Sequence, residues 1–141
     1  MNTINEFRGD NYFLSNFYEA DVEYNGLTYK NNEAAFQAQK VTDPEEQKKF
    51  TELAPNKAKA LGRRVKLRED WEEVKVGIMH DIVLNKFTQN KELKAKLLNT
   101  KDSKLIEGNT WNDTFWGVSS KTGRGRNELG KILMQVREEI K

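Results

Sequence analysis

Two stretches of the chain show the hydrophobic spacing of an amphipathic helix. Between positions 71 and 87, apolar residues recur at a period of about 3.6, the repeat of an α-helix. They form one stripe and a flank beside it: Trp71, Val74, Ile78 and Ile82, with Met79, Val83 and Phe87. The segment from Asn127 to Ile140 repeats the pattern at Leu129, Ile132, Leu133, Val136 and Ile140. Each segment is therefore predicted to be a helix that packs one face against a core.

Boundary residues predict shorter helices around these two. Residues 32–41 are rich in alanine and contain no helix breaker, which predicts a helix over that range. Asp43 and Pro44 have the order of an N-cap and a first helical residue, so a helix is expected from there to about Leu53. Further starts are predicted at Pro55, with an end near Gly62, at Asp70, as a second capping box, and at residue 91, with an end near residue 99.

A short hairpin and a few irregular strands complete the predicted elements. Asn25 and Gly26 separate two short alternating runs, and this dipeptide favours the positive φ angles of a tight hairpin turn. Residues 104–118 are predicted to be irregular or short strands, and residues 119–126 a polar loop with glycines. The sum is an α+β class, mostly α-helical, with packed helices and a small β-hairpin in a single domain over residues 1–141.

The composition excludes several classes of active site. The chain has 141 residues, 24 Lys and Arg against 22 Asp and Glu, one histidine and no cysteine. Disulfides, Cys-ligated metals and cysteine nucleophiles are therefore excluded, and His80 alone cannot form a multi-histidine metal site. A net charge of +2 is not that of a histone-type nucleic-acid binder. Since no apolar run approaches about 20 residues and the start lacks a signal-peptide core, a cytoplasmic protein that spans no membrane is expected.

The predicted helix over residues 32–41 carries the first candidate site. An acid, an amide and an amine beside a phenylalanine suit the floor of a polar pocket. On a continuous helix these residues share one face, because they are spaced i, i+3, i+4 and i+7: Glu33, Phe36, Gln37 and Lys40. The alternative is a solvated face on which Glu33 and Gln37 form an i,i+4 contact.

Residues 107–117 form the second candidate, because polar groups stand there beside two tryptophans. Such loops supply aromatic walls and placed hydrogen-bonding groups in small-molecule pockets. The alternative is that Trp111 and Trp116 are core aromatics and that Asp113 is a turn or cap residue. Both interpretations stay open on the sequence.

Basic residues are concentrated in two further segments. One is the run over residues 57–68, and the other is the glycine loop at 119–126. Either could bind phosphate, the first as a patch and the second at a helix N-terminus. A solvated helix face is the alternative for the run, and the glycine spacing of the loop differs from that of a P-loop or a dinucleotide fingerprint. The run comprises Lys57, Lys59, Arg63, Arg64, Lys66 and Arg68.

Five blocks of sequence occur together and cover nearly the whole chain. They are Phe13–Phe17, Asn32–Lys40, Ala58–Arg63, Asp70–Trp71 through Met79 to Lys86–Phe87, and Leu105–Glu107 through Asp113 and Trp116–Gly117 to Asn127–Gly130 and Leu133–Arg137. In this order they resemble the NADAR family (NAD- and ADP-ribose-associated), also called YbiA-like.

The resemblance implies a mostly helical α+β fold and an enzyme, a hydrolase that cleaves N-glycosidic bonds. Two substrate classes are associated with the family. One is the phosphoribosylamino-pyrimidine intermediates of early riboflavin synthesis, and the other is ADP-ribose attached to a nucleobase, notably guanine in DNA. The implied partner is therefore a small-molecule ribosyl phosphate or an ADP-ribosylated nucleobase or DNA. No metal is implied, and no cofactor is expected.

The chemistry of the candidate residues agrees with that activity. Breaking an N-glycosidic bond builds positive charge at the anomeric carbon, which a carboxylate can stabilise while it activates water. Glu33 is the first choice for that role. Lys40 either holds a phosphate or attacks the opened sugar as an amine, and Asp113 orients a ribose hydroxyl or serves as a second acid–base group. The predicted substrate-binding residues are Asn16, Phe17, Gln37, Arg63, Trp111, Trp116, Gly117 and Asn127.

Two non-catalytic alternatives remain on the sequence. A module that only binds ADP-ribose or a nucleotide would keep the aromatic and basic contacts and would need no acid. A helical interaction domain would not need the pocket-like segments. The joint presence of Glu33, Lys40 and Asp113 favours catalysis, and no heptad or apolar patch predicts an oligomeric state.

Overall fold

The computed structural model describes residues 2–141, which fold into two compact units. One unit consists of residues 16–90, and the other of residues 2–15 together with residues 91–141. Both contain helices and short paired strands, so the predicted α+β, mostly helical class is confirmed. No helix in the described chain is long and apolar enough to cross a bilayer.

The helices and short strands alternate along the described residues. In chain order they are β1 (Thr3–Ile4), a 3-10 helix (Gly9–Leu14), β2 (Glu19–Tyr24), β3 (Leu27–Asn31), α1 (Asn32–Ala38), α2 (Pro44–Gln47), a second 3-10 helix (Lys48–Phe50), α3 (Pro55–Gly62), α4 (Trp71–Gln89), α5 (Lys91–Leu98), β4 (Lys104–Leu105), β5 (Gly108–Asn109), β6 (Val118–Ser119) and α6 (Glu128–Glu139). The helices predicted near 55–62, 91–99 and 127–140 are therefore confirmed.

The predicted hairpin is present as the antiparallel pair β2–β3 in unit 16–90. Asn25 and Gly26 form its turn with φ angles of 50° and 85°, which these residue types tolerate better than others. Val22 pairs with Tyr29, and both are fully buried. The hairpin therefore presents one face to the core of this unit.

α1 follows the hairpin and is the most deeply buried helix of unit 16–90, since all of its residues are buried. Asn31 is its N-cap, because its Oδ1 accepts a hydrogen bond from the Ala34 N–H at 2.7 Å. The Nδ2 of the same residue donates to the Leu53 carbonyl at 3.0 Å. The Asn31 side chain thus caps α1 and also links it to Leu53, which lies just after the second 3-10 helix.

α1 ends at Ala38, whereas the sequence predicts a helix to residue 41. The side-chain Nε2 of Gln39 donates to the Ala35 carbonyl at 3.0 Å, the acceptor that a continuing helix would offer to the Gln39 backbone N–H. Beyond the helix, Arg68 donates to two backbone carbonyls: its Nη1 to that of Gln39 at 3.4 Å and its backbone N–H to that of Lys40 at 2.9 Å. The chain therefore leaves the helix to meet Arg68.

The capping box predicted at Asp70 is wrong, although α4 does begin at Trp71. The Asp70 carboxylate makes no cap and instead accepts two hydrogen bonds from the Arg68 guanidinium, at 2.6 and 3.0 Å. At the other predicted cap, Asp43 Oδ1 does accept the Glu45 N–H at 3.0 Å. The helix that starts there tightens into the 3-10 helix and stops at Phe50, short of the predicted end.

α4 packs on the hairpin through the C-terminal half of its apolar stripe. Its buried residues in that half are Met79, Ile82, Val83, Lys86 and Phe87. Val74 and Ile78, which the pattern also assigns to the stripe, are only partly buried. Amide side chains near the end of α4 close the edge of β2, because Asn85 and Gln89 both donate to the Glu23 carbonyl, at 2.9 and 3.0 Å.

The other unit contains two short pairs of parallel strands, and β4 of the first pair lies against α6. β1 pairs with β4, and β5 pairs with β6. The apolar residues predicted to face the core from α6 are all buried. Gly130 allows α6 to approach β4 closely, because a Cβ there would lie 2.2 Å from the Leu105 carbonyl oxygen. The described parts of residues 104–118 are otherwise irregular, as predicted.

Replacing Asn31 by alanine should destabilise the protein more than removal of an exposed cap. Asn31→Ala loses the N-cap of a buried helix and leaves the Leu53 carbonyl without its donor, so we expect the free energy of unfolding to fall by about 1–2 kcal/mol. Urea denaturation measures this loss. Asp43→Ala removes the exposed cap of α2 and should cost less than half as much, and equal losses would contradict the central place given to α1.

Candidate active site

Glu33 places a carboxylate in the first turn of α1, and only 9% of the residue is exposed. Its N–H donates to the Asn16 carbonyl at 3.0 Å, and its Oε2 accepts a hydrogen bond from Gln37 Nε2 at 2.6 Å. The predicted contact between Glu33 and Gln37 is therefore present, but it lies on a buried face and not on a solvated one. A poorly hydrated carboxylate interacts strongly with a positive charge that forms beside it.

Gln37 is wedged between Glu33 and α3. A Cβ added to Gly62 would lie 1.9 Å from Gln37 Oε1, so the absence of a side chain at this position makes room for the amide. Within residues 2–141, Oε1 is buried and accepts no hydrogen bond. The amide is therefore held by its bond to Glu33 and by packing against Gly62, which fixes the orientation of the carboxylate.

Lys40 lies two residues beyond the end of α1, so the prediction that it continues the helical face of Glu33 is wrong in detail. Its N–H bonds to the Gln37 carbonyl at 3.2 Å in a turn. The residue is half-buried, and burial is the main cause that lowers the pKa of its ammonium group. The negative charge of Glu33 opposes that shift, while the positive charges of Arg63, Lys59 and Lys75 add to it. Lys40 thus shares an electrostatic environment with Glu33.

Phe17 and Arg63 are two further predicted site residues of unit 16–90. The Lys59 ammonium lies 5.9 Å from the centroid of the partly buried Phe17 ring, within the range of a cation–π contact. Arg63 is the exposed C-cap residue of α3 and directly follows Gly62. The structure therefore brings Glu33 and Gln37 into contact and places Arg63 next to the residue that Gln37 meets.

Asn16 is buried and anchors the start of α1. Its carbonyl accepts the Glu33 N–H, and its Oδ1 accepts a hydrogen bond from Asn32 Nδ2 at 3.3 Å. Its Nδ2 lies 3.5 Å from the Met79 sulfur of α4. These contacts engage both ends of the amide within the fold, so Asn16 acts on the carboxylate of Glu33 through the backbone.

The remaining predicted residues lie in residues 107–127 of the other unit. Asp113 Oδ1 accepts the N–H groups of Phe115 and Trp116, at 3.1 and 2.9 Å. The backbone of Asp113 is itself held by the side chain of Asn109, which bonds both its N–H and its carbonyl. These are the contacts of a turn residue, the second of the two interpretations that the sequence leaves open for Asp113.

Gly117 is a position that only glycine can fill without displacing its surroundings. A Cβ there would lie 1.8 Å from Glu107 Oε2 and 2.7 Å from Asn109 Nδ2. These two side chains bond each other at 3.0 Å. Neither residue was predicted as a site residue from the sequence, although both lie within the second candidate segment.

The two tryptophans of this segment differ in exposure. Trp111 is 54% exposed, so the interpretation of it as a core aromatic is wrong. Trp116 is partly buried and packs edge-to-face on Phe115, with ring centroids 4.8 Å apart. The indole ring of Trp111 is therefore accessible to solvent, whereas that of Trp116 is held by packing.

Asn127 is buried in a left-handed conformation, with a φ angle of 54°, just before α6. Its Oδ1 accepts the Glu107 N–H and its Nδ2 donates to the Leu105 carbonyl, each at 2.9 Å. Its N–H bonds to the Gly117 carbonyl at 3.2 Å. Asn127 therefore holds together the three segments of backbone that meet there.

Lys86 is a buried charge that the sequence reasoning missed. Only 1% of the residue is exposed, and its ammonium lies 5.5 Å from the Tyr18 ring centroid and 5.1 Å from that of Phe87. Burial lowers its pKa to about 7. The signal was present, because Lys86 occupies a core position between Val83 and Phe87 on the apolar stripe of α4. Among residues 2–141, no group of three acidic or histidine side chains is placed to hold a metal ion.

Comparison with known protein families shows which family this chain belongs to. The sequence profile of the NADAR domain matches residues 5–141. The chain belongs to the NADAR domain family. The resemblance drawn from the five sequence blocks is thereby confirmed.

Relatives with established names share this domain. N-glycosidase YbiA of Escherichia coli (strain K12) is 40% identical over 130 residues, which cover 90% of this chain and 80% of the relative. The riboflavin biosynthesis protein VVA0006 of Vibrio vulnificus is 42% identical over 132 residues, or 91% of this chain. This chain spans only about a third of that second protein, 35% of its length.

The NADAR fold of this chain also matches a solved structure. The NMR structure of E. coli YbiA superposes with a TM-score of 0.87 at 35% sequence identity. The match covers 99% of this chain and 84% of the YbiA chain. The mostly helical α+β architecture is thus that of YbiA.

Replacing Lys86 by methionine should remove a pH dependence of stability. The folded-state pKa of Lys86 is about 7 and the ordinary value is 10.5, so the unfolded chain binds more protons between these limits. The free energy of unfolding should therefore rise with pH from about 7 to about 10 in the wild type, by up to about 1.4 kcal/mol per pH unit. Urea denaturation at several pH values measures this slope.

In Lys86→Met the extra slope should be absent. Lys96→Met, which removes an exposed lysine of α5, should keep the wild-type slope and serves as the control. Parallel pH profiles for the wild type and Lys86→Met would show that Lys86 remains charged in the folded protein.

Proposed function

We propose that this NADAR domain is an N-glycosidase in which the Glu33 carboxylate stabilises the cationic ribosyl group and activates water. The observation that carries the proposal is a buried carboxylate held by Gln37 and electrostatically coupled to the Lys40 amine. Relatives named N-glycosidases, alike over about 90% of this chain, support the predicted glycosidase activity. We also propose that residues 1–141 act as one domain, because the family profile spans nearly all of them.

The geometry around Glu33 suits the charge changes of this reaction. As the bond between C1 of the ribosyl group and the base nitrogen breaks, the base takes the electron pair and C1 becomes positive. A carboxylate in a poorly hydrated site stabilises that cation more than the neutral substrate, which lowers the barrier. The bond from Gln37 holds the carboxylate in one orientation. Water then adds to C1 as Glu33 accepts its proton, and the departing base is protonated.

Lys40 supplies an amine with a lowered pKa next to this carboxylate. A larger fraction of such an amine is uncharged at neutral pH, and an uncharged amine is a nucleophile. In the covalent form of the proposed reaction, this amine takes the place of water: it adds to C1 as the base leaves with the bonding electron pair. The sugar ring then opens to an imine, and water hydrolyses the imine to return the free amine and the sugar. The Phe17 ring, which contacts Lys59, offers a face on which a base can stack.

The substrate class that fits is a ribosyl phosphate or an ADP-ribosyl group joined to a nitrogen base. The named relatives include an N-glycosidase and a riboflavin biosynthesis protein. The second name agrees with an early riboflavin-pathway ribosylamino-pyrimidine as substrate. An ADP-ribosylated nucleobase such as guanine in DNA is the other substrate class that the family resemblance implies.

Glu33→Gln should reduce kcat at least about 100-fold, because it keeps the shape of the side chain and removes its charge. The measurement is a mass-spectrometric time course with two substrates in parallel: an oligonucleotide that carries ADP-ribosyl-guanine, and a 5′-phosphoribosylamino-pyrimidine. Loss of one substrate with release of the free sugar phosphate or ADP-ribose identifies the class.

Glu45→Gln is the matched control, since it makes the same change on the exposed surface of α2 and should keep wild-type turnover. Near-normal turnover of Glu33→Gln would remove Glu33 from the reaction. Saturable binding of ADP-ribose without any product over hours would favour the non-catalytic binding module.

Borohydride should trap a covalent adduct on Lys40 during turnover. Reduction of an imine gives a stable secondary amine, which peptide mass spectrometry locates by its added sugar mass. The adduct should be missing in Lys40→Gln and present in Lys57→Gln, which removes an exposed lysine of α3. Turnover of native substrate without an adduct would argue against covalent attack and leave Lys40 as a binding group.

A further inference from the structure

We propose that Lys86 is a positioning residue for the active site, because its ammonium holds residues 16–18 against α4 and thereby fixes the start of α1. The proposal rests on the function proposed above and adds a residue that acts through its neighbours and not on the substrate. Neither Lys86 nor its neighbour Tyr18 was among the site residues predicted from the sequence.

Lys86 occupies a position at which an apolar side chain would stabilise the fold more. The residue is 1% exposed and shares the buried face of α4 with Met79, Ile82 and Val83. Removal of an ammonium group from water is unfavourable, as the lowered pKa of Lys86 shows, and a methionine at this position would avoid the penalty. Stability therefore does not account for a lysine here, whereas a specific contact of its ammonium group does.

The ammonium group of Lys86 is set against the ring of Tyr18. Its Nζ lies 5.5 Å from the Tyr18 ring centroid, within the range of a cation–π contact, and 5.1 Å from that of Phe87. Such a contact is stronger in the interior of a protein, because water no longer screens the charge. Phe87 belongs to α4 itself, so the contact with Tyr18 is the one that joins α4 to another segment.

α4 holds the chain that leads into β2 at several points. Near the middle of the helix, the Met79 sulfur lies 3.5 Å from Asn16 Nδ2, and at its end two amide side chains donate to the Glu23 carbonyl. Lys86 lies seven residues, or about two helical turns, beyond Met79. The contact of Lys86 with Tyr18 therefore falls between these two attachments and fixes the part of the chain that precedes the strand.

The start of α1 depends on this same part of the chain. The Asn16 carbonyl accepts the Glu33 N–H at 3.0 Å, and Phe17 supplies the ring on which the proposed reaction stacks a base. A shift of Tyr18 would therefore move both the backbone attachment of Glu33 and the neighbouring Phe17 ring. Because a misplacement of about 1 Å caused by a distant change can cost much of the rate, Lys86 contributes to catalysis without contact with the substrate.

Amide hydrogen exchange tests this role without relying on any activity. Exchange of the Glu33 N–H reports its bond to the Asn16 carbonyl, and exchange of the Ala34 N–H reports the N-cap bond to Asn31 in the same turn. In Lys86→Met the Glu33 amide should exchange at least about tenfold faster relative to the Ala34 amide, which corresponds to the loss of one desolvated cation–π contact. An unchanged ratio of the two rates would overturn the proposal.

The exchange is measured at pH 6, below the pKa of about 7, so that Lys86 carries its charge in the wild type. Tyr18→Leu removes the ring and should change the ratio as much as Lys86→Met does. The double variant should add nothing further, because both changes break one contact. Tyr18→Phe keeps the ring and should keep the wild-type ratio. Additive effects of Lys86→Met and Tyr18→Leu would contradict the proposal.

Stability and turnover separate a positioning role from a merely structural one. At pH 6, Lys86→Met should be at least as stable in urea as the wild type, because it no longer buries a charge. Its kcat should nevertheless fall at least about tenfold and its KM change less than about threefold, since groups that act in the transition state are displaced. Lys91→Met removes an exposed lysine at the start of α5 and should keep the wild-type kcat and stability.

The readouts also distinguish failure of this proposal from failure of the proposed function. A changed exchange ratio in a protein that cleaves no substrate would remove the proposed activity and leave Lys86 as the residue that holds the Glu33 backbone. Wild-type kcat in Lys86→Met would remove the positioning role while the proposed activity stands. Parallel losses of kcat and of stability would make Lys86 a purely structural residue, and the proposal would then also be wrong.

Discussion

The burial of α1 is the constraint on which the rest of unit 16–90 depends. Buried polar groups need partners inside the protein, and this helix carries several. Glu33 and Gln37 bond each other, and Asn32 donates to Asn16. The close approach of Gly62 follows from the same constraint, because a side chain there would displace Gln37 and free the carboxylate. The candidate acid is therefore part of the hydrogen bonding that closes this core.

Burial is the main cause of the lowered pKa of both Lys86 and Lys40, but the two side chains have different surroundings. Lys86 lies within the core beside the Tyr18 and Phe87 rings, and loss of hydration alone lowers its pKa. Lys40 is only half-buried, and its pKa also responds to Glu33 and to nearby cations. In the proposed reaction Lys40 belongs to the active site, whereas Lys86 lies in the core of the fold.

The sequence predicted those elements whose geometry is set by neighbouring residues, such as the Asn25–Gly26 turn and the apolar face of α6. Two of its errors, the end of α1 and the capping box at Asp70, trace to one residue. Arg68 takes the Asp70 carboxylate that would have capped α4, and its backbone and guanidinium take the carbonyls of Lys40 and Gln39 beyond α1. The bonds from Arg68 to the Gln39 and Lys40 carbonyls leave no local pattern, because Arg68 lies far from them in sequence and helix propensity and capping rules concern only residues close in sequence.

The candidate site shows the same division. The family resemblance supplied its residues together, without separating those that hold the backbone from those that act on a ligand. Both amide ends of Asn127 bond backbone groups, and Asp113 Oδ1 accepts two N–H groups of its own turn. Glu33 bonds a side chain, and its charge is felt by Lys40. Bonds to the backbone fix Asp113 Oδ1 and Asn127 in place, whereas the charge of Glu33 also acts on another side chain, so Glu33 and Lys40 are the first residues at which the chemistry is to be tested.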